Sequence, residues 1–338
     1  MFDHTAIDPI SPIFLQLGDN FVWQKYSLMI LIGMAVAAFL GIREGNKLGI
    51  KTNDIIDGIL IIVPLSIVGT RLWYVIFEFG NTYLPIFQDQ GFGQGMLSVI
   101  DISSGGLAIH GGFITAFISA YFYTKIKKIS MFSAFDLMVP GFLIAQASGR
   151  WGNFFNREAH GGVIGGVDAG GSPLETLDQQ RAFLTDTLHL PDWITNQMYI
   201  DRITESSPVI SYYHPTFLYE SMWNVLGFII VLIIRRSKWL KNGELLAFYL
   251  IWYGVGRFFI EGIRTDSLYI GNTTIRTAQL ISVIMVLGAG AYIYFIRKIV
   301  KTKSYAEVLE ENKGLVEPTK PDAFLNKIGS KIVSLFKK

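Results

Sequence analysis

The chain reads Phe132-Ser133-Ala134-Phe135-Asp136-Leu137-Met138-Val139-Pro140-Gly141-Phe142-Leu143-Ile144-Ala145-Gln146-Ala147-Ser148 and runs straight into Gly149-Arg150-Trp151-Gly152-Asn153-Phe154-Phe155-Asn156-Arg157-Glu158. At 1.5 Å per helical residue, Phe132–Phe155 is long enough to cross a hydrocarbon core of about 30 Å. The end of that stretch carries arginine, asparagine and glutamate. An ionisable group near lipid costs several kcal/mol unless it is paired or faces a polar cavity, so such a cluster reads as part of a site. Arg150 and Asn153 are three residues apart and share one helical face.

Outward from this stretch, the whole chain has the composition of a membrane protein. Of its 338 residues 51% are hydrophobic and 17% charged, and the mean hydropathy is +0.39. A soluble chain carries about 25% charged residues. Seven apolar stretches predict an all-α polytopic protein with spans at Ser27–Ile42, Ile55–Phe77, Leu107–Tyr123, Phe132–Phe155, Phe217–Ile234, Glu244–Ile260 and Ala278–Ile296. Basic residues follow the first span (Arg43, Lys47, Lys51), the third (Lys125, Lys127, Lys128), the fifth (Arg235, Arg236, Lys238, Lys241) and the seventh (Arg297, Lys298, Lys301, Lys303). The connection Gly80–Gly106 has no Lys or Arg. Cytoplasmic connections hold the basic residues, which predicts an external N-terminus and a cytoplasmic C-terminus. A net charge of +2 gives no reason to expect nucleic acid. The chain has no cysteine, hence no disulfide and no thiol nucleophile of its own.

The chain divides into a membrane domain, residues 1–300, and a basic cytoplasmic tail, residues 301–338. Within the first, residues 157–213 are long enough to form an external head rather than a plain loop. In the tail, Phe324, Leu325, Ile328, Ile332, Leu335 and Phe336 fall on one side of a helical wheel, and Lys327, Lys331 and Lys338 on the other. That pattern suits a helix lying on anionic lipid; a basic tail without structure is the plain alternative.

Polar groups recur inside the predicted spans. His110 is followed by Gly111 and Gly112 and preceded by Gly105-Gly106. A lone histidine on an apolar helix is often only a packed residue, but the glycines admit close approach of a backbone or a ligand. Tyr253, Arg257, Glu261 and Arg264 form a helical stripe, which reads either as an ion network stapling one helix or as a binding face. Glu220 lies inside the fifth span, and Arg71 in the second, where it can pair with other helices. Tyr26 starts the first span, an ordinary place for a belt tyrosine. Pooled, the arginines offer planar forks suited to phosphate oxygens. The residues therefore point to a site for an anionic, phosphate-bearing ligand. No P-loop, dinucleotide glycine pattern, zinc motif or Gly-x-Ser-x-Gly elbow occurs, and no metal or cofactor is expected.

Four motifs in order, Gly106-Leu107-Ala108-Ile109-His110-Gly111-Gly112, Gly149 to Glu158 followed by Gly161, His214-Pro215-Thr216-Phe217-Leu218-Tyr219-Glu220, and Gly256-Arg257-Phe258-Phe259-Ile260-Glu261, resemble the prolipoprotein diacylglyceryl transferase family over residues 8–298. The resemblance implies an enzyme of the bacterial plasma membrane. Its partners would be phosphatidylglycerol, membrane lipid and a prolipoprotein signal peptide bearing a lipobox cysteine. The diacylglyceryl group would pass to the cysteine thiol as a thioether, releasing glycerol phosphate. It also implies functional roles for Tyr26, His110, Arg150, Asn153, Glu158, Gly161, Arg257 and Glu261; Lys25 stands before Tyr26 where the family usually has Trp. Combined with the residue reading, the expected catalytic residues are His110, Arg150, Arg257 and Tyr26. The expected substrate-binding residues are Arg150, Asn153, Asn156, Glu158, Gly161, Tyr253, Arg257, Glu261 and Arg264. The competing class is a seven-span transporter or flippase for an anionic lipid, which would explain intramembrane charge equally well.

Overall fold

Away from water a helix satisfies its own backbone groups, so long apolar runs fold as helices. A computed structural model of the chain describes residues 3–4, 7–18, 21–102, 105–204, 207–264, 269–270, 273–313 and 315. The elements are β1 (Ile13–Leu17), β2 (Phe21–Gln24), α1 (Lys25–Lys47), α2 (Thr52–Glu78), α3 (Leu84–Ile100), α4 (Ile109–Ile126), α5 (Met131–Asn156), α6 (Leu177–Ala182), α7 (Asp192–Gln197), β3 (Tyr199–Ile200), β4 (Ser211–Tyr212), α8 (Thr216–Ile234), α9 (Glu244–Ile263), α10 (Thr277–Tyr294) and α11 (Tyr305–Glu311). Among the described residues, six helical stretches are long and apolar enough to cross a membrane; they begin at Lys25, Thr52, Met131, Thr216, Glu244 and Thr277. The expected third span is helical as α4, which carries His110, Thr124 and Lys125 and is not one of these six. Apolar side chains such as Leu60, Val68, Leu72 and Ile76 on α2 are exposed, as lipid-facing residues are. This is the architecture of a polytopic membrane protein.

The connection Gly80–Gly106 contains helix. A π-helical turn, Phe79–Tyr83, leads into α3, which is broken at Gly91 (φ 81°, ψ 172°). Pro85 in the first turn favours helix initiation, and buried Gly95 lies against the ring of Phe87. The amphipathic helix expected over residues 322–338 lies outside the described residues.

Of the described residues, those in Met1–Leu40 and Phe135–Val308 form one compact unit, and those in Gly41–Ala134 and Leu309–Lys338 the other. In the first unit, β1 and β2 form an antiparallel hairpin that pairs Leu15 with Trp23 and Leu17 with Phe21. The hairpin runs directly into α1. Small residues then let α1 approach α5: a Cβ on Gly33 would lie 3.0 Å from the Ala145 backbone, and one on Gly141 3.0 Å from the Ala37 Cβ. Ser148 Oγ donates to Met29 O at 2.6 Å across the same contact. Where apolar burial drives little association, such close approach and polar bonds hold helices together. Helices α8 and α9 meet through stacked Trp223 and Trp252, centroids 4.2 Å apart. Each indole N–H donates to the other residue's carbonyl at 3.0 Å, so neither polar group is left unsatisfied. A Cβ on Gly256 would sit 2.2 Å from Trp223 Nε1, so the glycine beside Arg257 sets how closely the two helices pack.

The segment between α5 and α8 has its own core, with Ile164, Leu184, Ile194, Met198, Tyr199 and Tyr212 packed on Phe154 and Phe217. Thr176 and Gln179 form a reciprocal cap at the start of α6, the pattern that satisfies two orphan donors at once. At the opposite end of α9 the cap comes from another helix. Buried Asp136 of α5 accepts from Gly243 N at 2.6 Å and from Leu245 N at 3.0 Å. Asp136→Ala is expected to lower stability by about 2 kcal/mol, since it orphans two buried donors at a helix start. A detergent-solubilised variant with an unshifted thermal midpoint would contradict this.

Candidate active site

The site of the first unit is built where α5 ends, α8 begins and α9 ends. Helix α5 stops because Arg157 takes a left-handed conformation, φ 54°. Arg157 N then bonds Phe154 O at 3.2 Å and Glu158 N bonds Asn153 O at 3.1 Å, a common way to close a helix. The turn brings Glu158 back over the helix end, where its Oε1 accepts from Asn153 Nδ2 at 3.0 Å and Asn156 Nδ2 at 3.2 Å. Arg157 itself turns away, donating to Tyr199 O and, at 2.9 Å, to Asp201 Oδ1. The two arginines of the motif thus separate into one that faces the cluster and one that ties down residues 199–201.

Arg150 faces the cluster. Its Nε lies 2.8 Å from Glu220 Oε2, and its Nη1 donates to Asn153 Oδ1 at 3.2 Å. Trp151, next along, donates from Nε1 to Ser221 Oγ at 3.2 Å, which fixes the end of α5 against the first turns of α8. A Cβ on Gly152 would lie 2.6 Å from Tyr26 Cδ2, so the Tyr26 ring rests on the backbone between Arg150 and Asn153.

Glu220, 5% exposed, is the common partner of three arginines. Besides Arg150, it has Arg264 Nη1 at 3.4 Å and Arg257 Nη1 at 3.6 Å from its Oε1. Arg257 Nη2 also pairs with Glu261 Oε2 one turn along α9, and Arg276 Nη1 donates to Glu261 O. Arg150, Arg257 and Arg264 thus bring three positive charges to one carboxylate, Glu220, with Glu261 beside Arg257 and Glu158 joined to Arg150 through Asn153. The Arg257 Nη1 atom is buried and makes no hydrogen bond among the described residues. A cluster of guanidinium groups with a buried donor that makes no hydrogen bond is suited to an anion.

The expected stripe Tyr253–Arg257–Glu261–Arg264 needs correction at its end. Helix α9 stops at Ile263, and Arg264 is extended, φ −80° and ψ 147°. Released from the helix, Arg264 pairs as a β-bridge with Gly161, and its side chain reaches Glu220 of α8. Gly161 is required there: a Cβ would lie 2.7 Å from His214 Cβ and 3.1 Å from Ile263 O. Burial pushes the His214 imidazole below its ordinary pKa, and its Nδ1 lies 3.4 Å from Tyr219 Oη. Tyr253 stacks on Tyr249, 5.9 Å between centroids, one turn before Arg257.

The structure therefore joins Arg150, Asn153, Asn156, Glu158, Arg257, Glu261 and Arg264 in one network, with Gly161 and Tyr26 packed beside it. Glu220 was legible as an unexplained carboxylate inside an apolar span, but nothing in the spacing names its partners. Its signal is the cost of that charge, which demands a cation from another helix. His110 belongs to the second unit, exposed in the first turn of α4. The glycines beside it serve backbone approach: a Cβ on Gly111 would lie 2.3 Å from Gly69 O, and one on Gly112 2.5 Å from Thr70 Cγ2.

Comparison with known proteins bears on the chemistry. Residues 12–295 match the sequence pattern of a family described as prolipoprotein diacylglyceryl transferase. The chain is 43% identical over 290 residues to the phosphatidylglycerol–prolipoprotein diacylglyceryl transferase of Listeria monocytogenes serotype 4a, covering 86% of this chain and 91% of that protein. It is 41% identical over 293 residues to the protein of the same name from Bacillus licheniformis, covering 86% and 94% of the two chains. The corresponding protein of Lysinibacillus sphaericus is 42% identical over 286 residues, covering 84% and 92%.

Proposed function

Because the chain belongs to the prolipoprotein diacylglyceryl transferase family, we propose that its cluster of arginines around Glu220 holds the phosphate of phosphatidylglycerol during transfer. The protein is an enzyme that moves the diacylglyceryl group of phosphatidylglycerol to a prolipoprotein in lipoprotein maturation. A transporter or flippase is not favoured. The acceptor is the lipobox cysteine thiol of the signal peptide. Its sulfur attacks the glyceryl carbon that bears the phosphate, the carbon–oxygen bond breaks, and a thioether forms. Glycerol phosphate leaves with a second negative charge where the diester had one. Arg150, Arg257 and Arg264 can meet that charge as it develops, which is where preformed donors accelerate a reaction most. The observation that carries this reading is the buried Nη1 of Arg257, which makes no hydrogen bond among the described residues, in a cluster of three arginines around Glu220.

In the same reading Asn153, Asn156 and Glu158 order the rim, Gly161 holds Arg264 in place, Tyr253 and Tyr26 line the approach, and Glu261 orients Arg257. The thiol, with a pKa near 8.5, needs a base, and His110 takes its proton. The seven predicted spans place the N-terminus outside the plasma membrane of a bacterium and the C-terminus inside, with residues 157–213 as an external head above the site. The tail from residue 301 plays no part in the chemistry.

A purified sample supplied with phosphatidylglycerol vesicles and a lipobox peptide is expected to yield a diacylglyceryl peptide and glycerol phosphate in equal amounts. Movement of lipid between leaflets without modified peptide would overturn the proposal. His110→Asn is expected to lose about two orders of magnitude in rate, within the range that general base catalysis supplies, together with the rise of rate with pH. An unchanged pH profile with only a raised lipid KM would make His110 a binding residue.

A further inference from the structure

Arg71 of α2 is 8% exposed, and its guanidinium makes four hydrogen bonds among the described residues, each to a backbone carbonyl. Its Nε and Nη2 donate to Val99 O at 2.8 Å and Ser98 O at 2.6 Å, in the last turn of α3. Its Nη1 donates to Gly105 O at 2.9 Å and Gly106 O at 3.0 Å. The rings of Tyr83 and Tyr74 lie 5.5 and 6.0 Å from the guanidinium. Among the described residues no carboxylate pairs with it. A charge this buried without a counter-ion is expensive, and a neutral side chain would pack the same helix at lower cost. What a guanidinium does that no other side chain can is reach separate acceptors on both of its edges. Here those edges join the carbonyl end of α3, where four backbone acceptors lack helical partners, to the glycines that precede α4.

The next residues are pinned to the same stretch of α2. Ala108 N donates to Thr70 O at 3.0 Å, and Gly111 presses on Gly69 O and Trp73 Cβ, each 2.3 Å from where a Cβ would be. His110 lies between these anchors. Gly106, at φ 68°, has room for no side chain, since a Cβ would sit 2.4 Å from Arg71 Nη1. Three consecutive residues of α2, Gly69, Thr70 and Arg71, thereby hold the start of α4 at three points.

We infer that Arg71 is a positioning residue for the transfer reaction, fixing the entry to α4 so that His110 is held in its working orientation. This rests on the reading of His110 as a group that serves the chemistry. Near-attack geometry tolerates little displacement, so loosening the anchor lowers the rate of the chemical step more than binding.

The test uses the full chain in phosphatidylglycerol vesicles with a lipobox peptide, comparing wild type, Arg71→Lys, Gly106→Ala and His110→Asn. Arg71→Lys keeps the charge but cannot bridge both segments. It is expected to lower kcat by about tenfold or more with the peptide KM within about twofold, because the lost interaction acts on the transition state. Backbone hydrogen exchange should quicken over residues 98–110. Gly106→Ala leaves the guanidinium present but displaced and is expected to show the same split, so it decides the matter if Arg71→Lys does not fold. Wild-type kcat in either folded variant beside a slow His110→Asn overturns the inference while leaving the reading of His110 intact. A proportional loss in KM, or exchange quickened throughout the protein, also overturns it, since both describe a general structural defect. A His110→Asn enzyme as fast as wild type overturns the reading of His110, and the inference with it.

Discussion

Arg150→Lys is expected to lose about a hundredfold or more of its transfer rate while inserting into the membrane normally. Arg150 does two things at once: Nε meets Glu220 and Nη1 meets Asn153, while Nη2 has no partner among the described residues and is available to a phosphate oxygen. Lysine keeps the charge but is a point donor that cannot hold those directions together. Losing two charge-assisted hydrogen bonds at about 1.5 kcal/mol each amounts to about 3 kcal/mol, or about two powers of ten in rate. Steady-state transfer to a lipobox peptide measures it. Turnover near wild type would show that positive charge alone suffices and that the fork is irrelevant.

Glu220→Gln is expected to have an effect of similar size with a different signature, because it acts on stability as well as rate. The substitution keeps shape and removes charge. Arg150, Arg257 and Arg264 would then all lose the carboxylate they have in common, while Arg257 would keep Glu261. Removing one member of a buried ion network costs about 3–5 kcal/mol. Both the thermal midpoint and the transfer rate should fall, and neither raised lipid concentration nor more peptide should restore the rate. A variant with wild-type stability and turnover would mean that the three arginines are organised by something other than Glu220. The contrast with Arg150→Lys matters: that variant should fold, bind peptide and fail in transfer, whereas Glu220→Gln should weaken the frame itself.

Much of the frame is legible in the order of residues. Apolar length alone marks the stretches that become α1, α2, α5, α8, α9 and α10, because a backbone in lipid has few alternatives to a helix. The end of α5 is legible too, since Arg150 and Asn153 three residues apart must share a face and are bonded in the structure. The four ordered motifs carry the family. The connection Gly80–Gly106 is where such reading fails. Its sequence marks it only as a connection without Lys or Arg, yet Gly95 is buried against Phe87 and the stretch from Leu84 to Ile100 is helical, because tertiary packing outweighs weak intrinsic propensity.

The partners of the buried charges lie beyond what spacing can give. Local geometry fixes neighbours three and four residues apart, so Arg257 with Glu261 follows from sequence. Glu220 meets Arg150 from α5, Arg257 from α9 and Arg264 from the extended residue after α9. Arg71 serves carbonyls up to 35 residues away. Backbone carbonyls belong to every residue, so no sequence signal marks which of them an arginine will serve. The sequence by itself determined which segments are helical, which charges lie inside them and which family they belong to. Only the tertiary structure decided which of those charges share a site, because helix faces choose their neighbours through close packing at glycines and indoles, and that choice depends on contacts distant in the chain.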